Sequence, residues 1–250
     1  MHKKTLSLFT KIWALIALVI LAMTIGCSDT KDPTQLNPGV HKINHHSFFI
    51  NSLGMQFVPF SGKKTWLSVW ETRVKDYSTY ATNKTWQAAW FQDSQDHPAV
   101  NIRWKDAQEF CAWLTQRERQ AGILSKNEGY RLPTTSEWIS AFGELDNYSP
   151  ELNSGNFDVS LKVDSFPNTS PVGSFPANLI GVHDLRGNVW EWCTAWPKKE
   201  GAAHILHGGS WRDQSGKLLD PKEPLLVAKN VSSEDYGFRC LLVLNRPINP

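Results

Sequence analysis

The stretch that decides the fold is residues 184–192, which read DLRGNVWEW. Successive side chains of a β-strand point to opposite faces. A strand over 189–193 therefore places Trp190 and Trp192 on one face and Glu191 on the other. This alternation predicts a strand with one aromatic face and one face that carries a carboxylate.

Further strands are predicted on both sides of this stretch from short apolar runs and tight-turn residues. Before it, such runs at 48–50, 55–60 and 66–70 are broken by glycine and serine. After it, two strands are predicted at 205–211 and 237–244. The many short strands predict a fold that combines sheets with few helices.

Three helices are predicted before residue 144. The first is short, from about 74 to 81, and the third begins at Thr134, where Glu137 completes a capping box. Because one side of the second helix, 105–120, is apolar, Cys111 on that side faces the core. Its apolar side chains recur at i, i+3, i+4 and i+7: Ala107, Phe110, Cys111 and Leu114.

The segment 144–182 shows no sustained helical or strand period, and a structureless connection of that length needs an explanation. Oxygen-bearing side chains are dense in it and just after it: Asn156, Asp158, Asp164, Asp184, Asn188 and Glu191. Hard oxygen ligands on loops are how proteins hold calcium. Asn and Asp are also common in turns for local reasons. Spacing alone leaves both interpretations open.

Composition and charge limit the possible functions. The chain has 250 residues, of which 41% are hydrophobic, with twelve Trp and twelve Phe, so it can bury a core of its own. Twenty-six basic residues against twenty-four acidic ones leave a formal charge of +2 without long runs of either sign. A DNA or RNA partner is therefore not expected.

The N-terminus resembles the signal of a bacterial lipoprotein. Basic residues precede an apolar stretch at 12–25 that is too short to span a bilayer comfortably. Thr24-Ile25-Gly26-Cys27 then resembles a lipobox, in which Cys27 becomes the lipidated first residue. Residues 1–26 are thus predicted to be a signal peptide. Ordinary cleavage after Gly26 and an uncleaved anchor are the alternatives.

The location follows from this signal. Acyl chains on Cys27 would hold the protein on a membrane of the bacterial cell envelope. Ser28, in place of Asp directly after the cysteine, favours the outer membrane. The polar residues 27–46, with Pro33 and Pro38, are predicted to be a flexible tether, and the folded domain to span 47–250.

With Cys27 lipidated, three cysteines remain: Cys111, Cys193 and Cys240. One disulfide and one leftover thiol is the simplest arrangement for an exported chain. The chain has no Cys-x-x-Cys pair and no His/Cys cluster at zinc spacing, so a structural zinc site is not expected.

Four motifs in a fixed order carry a resemblance to a known family. They lie at 130–138 (YRLPTTSEW), 181–192 (GVHDLRGNVWEW), 208–211 (GGSW) and 237–240 (GFRC), and their order and spacing hold over 47–244. The chain resembles the sulfatase-modifying-factor family, that is, formylglycine-generating enzymes and their relatives. The resemblance implies an irregular, loop-rich α+β fold related to C-type lectin-like domains and stabilised by calcium.

The resemblance also implies ligands and a disulfide. One calcium would take oxygens from Asn156, Phe157, Asp164 and Phe166, and a second from Asp184, Gly187, Val189 and Glu191. The two phenylalanines, the glycine and the valine would contribute backbone carbonyls. A disulfide would join Cys111 to Cys240, with two buried free thiols as the alternative.

The copper chemistry of the family is not expected here. Formylglycine-generating enzymes bind copper through two cysteines after the Gly-Gly-Ser segment, and these positions fall on Asp213 and Leu218. Without thiolates there is no soft site for copper(I). Another branch binds iron through His-x-x-x-His-x-Glu. His41 and His45 have the first spacing, but Ser47 replaces the glutamate, so both are interpreted as exposed linker residues.

The leading hypothesis is a membrane-anchored binding or structural module with an unknown protein or glycan ligand. Its recognition surface would be the polar, irregular loop 212–236, with Trp211, Arg212 and Asp213 as contact residues. The alternative is an oxidoreductase of the sulfatase-modifying or pigment-maturation type with an unrecognised site. An inert accessory subunit of a catalytic homologue is a third possibility.

Overall fold

The computed structural model describes residues 36–43, 46–60, 64–143, 154–194, 204–214, 220, 222–228 and 230–245. The described residues from Asn37 onward belong to one compact unit. The predicted signal peptide, its lipidation residue Cys27 and the copper position Leu218 lie outside these ranges. Within them, the structure contains no helix with the length and apolar character needed to cross a membrane.

The first sheet contains six strands: β1 (Gly39–Ile43), β2 (His46–Ile50), β3 (Gln56–Phe60), β4 (Thr65–Ser68), β5 (Gly129–Arg131) and β10 (Leu241–Val243). Their order is β1-β2-β3-β4-β10-β5. Each neighbouring pair is antiparallel. The last strand of the domain therefore lies between two strands from its first half.

The second sheet contains four strands: β6 (Trp190–Cys193), β7 (His204–His207), β8 (Leu225–Val227) and β9 (Tyr236–Gly237). Their order is β8-β7-β6-β9, and β6 pairs in parallel with β9. The strand predicted from the two tryptophans is thus the centre of this sheet, since β7 and β9 flank it.

The three predicted helices are present as α1 (Val74–Tyr80), α2 (Trp104–Gln120) and α3 (Thr135–Phe142). The predicted capping box of α3 is confirmed. Thr134 Oγ1 accepts a hydrogen bond from the Glu137 amide at 3.2 Å, and Glu137 Oε2 accepts one from the Thr134 amide at 2.8 Å. Arg131 holds the same carboxylate with two bonds of 2.6 and 2.7 Å. The cap therefore also ties α3 to β5.

Two large apolar clusters, and a third of only three buried residues, form the core. The larger contains the predicted apolar side of α2 together with Trp190 and Trp192, whereas Cys193 belongs to the smaller cluster with Trp138. This division confirms the predicted alternation along β6. The architecture is an α+β fold, as expected. The aperiodic segment, where it is described, contains only a short 3-10 helix at Val159–Leu161.

Three predicted elements differ from the structure. The strand predicted at 237–244 is two strands, β9 and β10, because the chain leaves the second sheet and enters the first at 238–240. The strand at 205–211 ends at His207, since Gly208 and Gly209 have φ of 109° and 78°. The loop predicted at 212–236 contains β8, which pairs with β7.

The C-terminal part of the segment predicted to be a flexible tether, 27–46, is folded. Residues 39–43 form β1, which pairs with β2 over five residue pairs, from Gly39 with Ile50 to Ile43 with His46. His41 therefore lies in a strand, where its ring stacks on Phe48, and not in an exposed linker. The sequence did not predict this strand because its residues are polar and basic. It is an edge strand, and edge strands tolerate such side chains.

The two segments expected to hold calcium pack against each other backbone to backbone. Asn156 and Gly187 form an isolated parallel bridge, and the Asn188 amide donates to the Asn156 carbonyl at 2.7 Å. A Cβ added to Gly187 would lie 2.0 Å from the Asn156 carbonyl oxygen, and one added to Gly155 would lie 2.3 Å from the Arg186 carbonyl oxygen. Neither glycine position therefore has room for a side chain.

Replacing Gly187 by alanine is expected to destabilise the domain far more than replacing Gly54. Both have positive φ, 70° and 74°, so both substitutions strain the backbone by about 1–2 kcal/mol. Only Gly187→Ala also places a Cβ against backbone, since a Cβ at Gly54 would meet no atom within 4 Å. Urea unfolding followed by tryptophan fluorescence measures both losses. Equal losses would contradict the close approach.

Candidate functional site

Arg239 is the centre of a buried polar cluster between the two sheets. Its guanidinium and the Glu191 carboxylate are both fully buried, and the two groups are joined by two hydrogen bonds of 2.6 Å. The guanidinium also donates to the carbonyls of Ser68 and His183, at 3.2 and 3.0 Å. Trp138 Nε1 donates to Glu191 Oε2 at 2.9 Å. Both oxygens of Glu191 are thus occupied.

Two further carboxyl groups face this pair. Glu71 accepts from Asn188 Nδ2 at 3.0 Å, and Asp184 accepts from the Gly173 amide at 2.5 Å. Burial, and then the charge of Asp184, raise the pKa of Glu71, and burial raises the pKa of Asp184. Glu71 Oε2 and Asp184 Oδ1 are buried, and among the described residues neither oxygen has a partner other than the facing carboxyl group.

These unsatisfied oxygens test the second predicted calcium site. Asp184 fits a cation, because its Oδ1 is buried and unused. Glu191 does not fit in this arrangement, because Arg239 and Trp138 already satisfy its carboxylate. Glu71 offers the other unused oxygen, and sequence reasoning missed it. Glu71 carried no signal of its own, since it follows a predicted strand without a motif around it.

The residues of the first predicted calcium site are brought together. The Asp164 carboxylate accepts hydrogen bonds from the amides of Phe157 and Phe166, at 3.0 and 2.8 Å. Asn156 donates through Nδ2 to the Asn168 carbonyl at 2.8 Å, while its Oδ1 is buried and has no partner in the described chain. A fixed carboxylate and an unused amide oxygen are suitable ligands for a hard cation.

Within the described ranges, no three His, Cys, Asp or Glu side chains are grouped so that they could hold a metal ion. That search does not include amide and carbonyl oxygens, which form most of the two predicted calcium sets. The calcium expectation stays a prediction.

Cys111 and Cys240 face each other in the core as thiols, with their sulfur atoms 3.7 Å apart. A disulfide requires about 2.05 Å. The predicted pairing therefore has the right partners in contact, but the bond itself stays a prediction. Burial raises the pKa of Cys111, and burial also raises that of Cys193, so neither thiol is activated.

Asp213 is the residue that by count is expected at the position of a copper-binding cysteine, and its side chain points inward. It is 7% exposed and accepts hydrogen bonds from the amide and hydroxyl of Ser210, at 2.6 and 3.0 Å. The same hydroxyl lies 3.3 Å from Asp235. Burial raises the pKa of Asp213 to about 6. Of the three predicted contact residues, Asp213 is therefore the one that does not reach the surface.

Trp211 and Arg212 lie at the surface and extend a row of aromatic side chains. The Trp211 ring is 5.5 Å from that of Phe91, which is 5.6 Å from that of Trp90. The Arg212 guanidinium stacks 4.4 Å above Trp211 and pairs with Glu234 at 2.6 Å. Trp90 is 85% exposed. We call Trp90, Phe91, Trp211 and Arg212 the aromatic surface.

Comparison with protein families assigns most of the chain to one family. Residues 23–244 match the model of the sulfatase-modifying factor enzyme 1-like domain. The chain is 30% identical over 175 residues to the inactive C-alpha-formylglycine-generating enzyme 2 of Bos taurus, covering 62% of this chain and 54% of that protein. It is 31% identical over 178 residues to the formylglycine-generating enzyme of Streptomyces coelicolor, covering 58% and 52%. The chain thus spans about half the length of these relatives.

Solved structures share the fold at low sequence identity. PvdO from Pseudomonas aeruginosa superposes with a TM-score of 0.57 at 20% identity, over 88% of this chain and 90% of that one. Treponema denticola variable protein 1 superposes with a TM-score of 0.52 at 18% identity, over 81% and 97%. These similarities confirm the expected fold class.

Replacing Arg239 by methionine is expected to cost about 3–5 kcal/mol, because Glu191 would be left buried without its partner. Arg212→Met is the matched control. Its pair with Glu234 has side chains that are 41% and 35% exposed, so the loss there should be about 0–1 kcal/mol. Chemical denaturation of the two variants measures both values. A loss below 1 kcal/mol for Arg239→Met would contradict the central role of the pair.

Asp213→Asn is expected to remove a pH dependence of stability. The folded-state pKa of Asp213 is raised from 3.8 to about 6, so the protonated form stabilises the fold. This contribution is present below pH 4 and is lost as the pH rises through 6. Thermal melts from pH 3 to 8 should show that wild type loses stability relative to Asp213→Asn over about pH 4–6.

Asp158→Asn is the control for this experiment. Hydrogen bonds from Ser160 lower the pKa of Asp158, so its contribution has the opposite sign and is lost only as the pH falls below 3.8. A wild-type slope between pH 4 and 6 that persists in Asp213→Asn would show that another group is responsible.

Proposed function

Because the chain belongs to the family of sulfatase-modifying factor enzyme 1-like domains, we propose that it is a non-catalytic member that serves as a binding module on the bacterial cell envelope. One observation carries this proposal. The side chain at the first copper position is a buried carboxylate bonded to Ser210. The second position is Leu218, which has no donor atom for a metal.

The chemistry of these two residues argues against copper. Copper(I) prefers thiolate and thioether ligands, whereas a carboxylate is a hard ligand. Asp213 is also held by its Ser210 bonds inside the domain, so a substrate could not reach it without rearrangement. A relative that is itself named an inactive enzyme supports the same reading.

The aromatic surface is the proposed recognition site. Exposed aromatic side chains beside an arginine are typical of protein and ligand interfaces. Trp90 is exposed and packs edge to face on Phe91, which packs in the same way on Trp211, so the three rings form one connected surface. We propose that a protein or glycan of the envelope contacts this surface.

The proposed location rests on the N-terminus. Lipidation of Cys27 would hold the domain on a membrane, and Ser28 favours the outer membrane. The binding surface would then face partners within the envelope, separated from the membrane by the residues that precede β1.

Calcium is proposed as a structural ion of this module. Asn156 and Asp164, with the carbonyls of Phe157 and Phe166, would hold one ion, and Asp184 with the carbonyls of Gly187 and Val189 would hold a second. For the second ion, Glu191 would have to exchange Arg239 for the metal. The first site is therefore the stronger of the two.

Calcium is expected to raise the melting temperature of the protein, and Asp164→Asn is expected to abolish this rise. Asp158→Asn is the matched control, because Asp158 lies on the same segment but accepts a hydrogen bond from the Ser160 amide at the start of the 3-10 helix. Calorimetry with calcium and with chelator measures the shift. A shift that is equal in all three proteins would contradict the proposed site.

The recognition site is tested with the double variant Trp211→Ala/Arg212→Ala. The tagged full chain is crosslinked in the envelope of its own bacterium, and captured molecules are quantified. We expect at least tenfold less capture by the double variant. Leu226→Ala, which removes another exposed side chain (61%), should leave capture unchanged. Equal capture by all three proteins would place the recognition site elsewhere.

A further inference from the structure

A pocket of about 600 Å³ lies between α2, β5 and the start of α3, and it shares no residue with the aromatic surface or with either predicted calcium set. Small-molecule sites in proteins have volumes of about 300–1,000 Å³. Three of its lining residues, Cys111, Tyr130 and Leu132, are at most 6% exposed and form its floor. Ala112 is exposed and lies at the opening. The pocket thus has a buried floor and an open side.

Backbone and side-chain hydrogen bonds fix the walls of this pocket. The Tyr130 amide donates to Thr115 Oγ1 at 2.8 Å, which holds α2 on β5. On the other side, the Thr194 amide donates to the Pro133 carbonyl at 2.8 Å, and the Thr135 amide donates to the Thr194 carbonyl at 3.2 Å. These bonds hold the end of β6 against the start of α3. The pocket is therefore formed before any ligand enters.

The charges in the lining are closed on each other. Of the described residues that line the pocket, only Arg131 and Glu137 carry a charge. Two hydrogen bonds of 2.6 and 2.7 Å join them, and Glu137 also accepts from the amide and the hydroxyl of Thr134, at 2.8 and 2.9 Å. A charged ligand would have to break this pair or stay without a counter-charge, and both are costly.

Two uncharged polar side chains in the lining are not used by the fold. Gln108 and Thr194 both line the pocket, and neither side chain has a hydrogen-bond partner within the described ranges. Gln108 precedes Cys111 and Ala112 by three and four residues, so all three lie on one side of α2. A carboxamide and a hydroxyl can each donate and accept. The pocket therefore offers neutral hydrogen-bonding groups beside a buried floor.

From this arrangement we propose that the pocket binds an uncharged, mainly apolar small molecule that carries one hydrogen-bonding group. The apolar body would cover the floor and leave water, which is favourable. The polar group would bond to Gln108 or Thr194. A few polar groups around an apolar pocket are typical of small-molecule sites. The inference goes beyond the proposed function, because it needs neither the aromatic surface nor calcium.

The test uses N-phenylnaphthylamine, an uncharged probe with two aromatic groups and one N–H, whose fluorescence rises in apolar surroundings. It is titrated into residues 28–250, because the described residues from Asn37 onward form one compact unit. We expect saturable binding of one probe per chain. Anilinonaphthalene sulfonate adds a sulfonate to the same rings. It should bind at least about tenfold more weakly, since Glu137 already holds Arg131.

Two variants test the position of the probe, and a thermal melt verifies that each is folded. Gln108→Met/Thr194→Val removes both hydrogen-bonding groups at nearly constant size and should weaken binding about three- to tenfold, the effect of one hydrogen bond. Ala112→Trp should block the opening and abolish the fluorescence rise. Gln116→Met is the matched control, because Gln116 is an exposed glutamine of α2 that does not line the pocket. It should bind as wild type does.

A further control separates this inference from the proposed recognition site. Trp211→Ala/Arg212→Ala should bind the probe as wild type does, whatever its effect on capture in the envelope. The proposal is overturned by lack of saturable binding of the neutral probe, by equal or tighter binding of the sulfonate, by wild-type affinity in either pocket variant, or by loss of binding in the Trp211/Arg212 variant.

Discussion

The buried pair of Glu191 and Arg239 is the interaction on which the rest of the structure depends. Glu191 lies at the centre of the second sheet, and Arg239 lies where the chain crosses from that sheet to the first. The bonds of this guanidinium reach the Ser68 carbonyl on β4 and the His183 carbonyl before Asp184. Removing two charges from water is costly, and only full pairing offsets the cost. We infer that the pair specifies one relative placement of the sheets.

Around this pair, the chain is held in place by hydrogen bonds of side chains and not by hydrogen bonds between strands. Asn188 is the best example. Its Oδ1 accepts from the Ser170 amide at 2.9 Å and from Asn156 Nδ2 at 3.2 Å, while its Nδ2 donates to Glu71. Buried backbone and side-chain polar groups must find partners even where no strand exists. The aperiodic segment is thus built on amides and carboxylates, and the glycines permit the required contact.

Sequence reasoning succeeded where local signals were strong and failed where the determinant was distant. The period of α2, the capping box at Thr134 and the alternation of β6 are local, and all three are present. β1 and β8 are edge strands with weak patterns, and each is defined by pairing with a neighbour. Glu71 and Arg239 are separated widely in sequence, so their meeting could not be derived from spacing. Asp213 was identified by position, but its inward orientation depends on Ser210.

The strand order has a consequence for how the domain is made. β10 lies between β4 and β5, although every strand of the second sheet is synthesised before β10. Until β10 emerges, the edge strand β5 has no neighbour to pair with in the first sheet, and Arg239 and Cys240 are absent from the core. Non-local pairing of this kind makes folding slow, because the entropy of closing a long loop is lost before the stabilising contacts form. The nascent chain therefore remains without a complete core until β10 has left the ribosome, a state compatible with passage through a narrow channel.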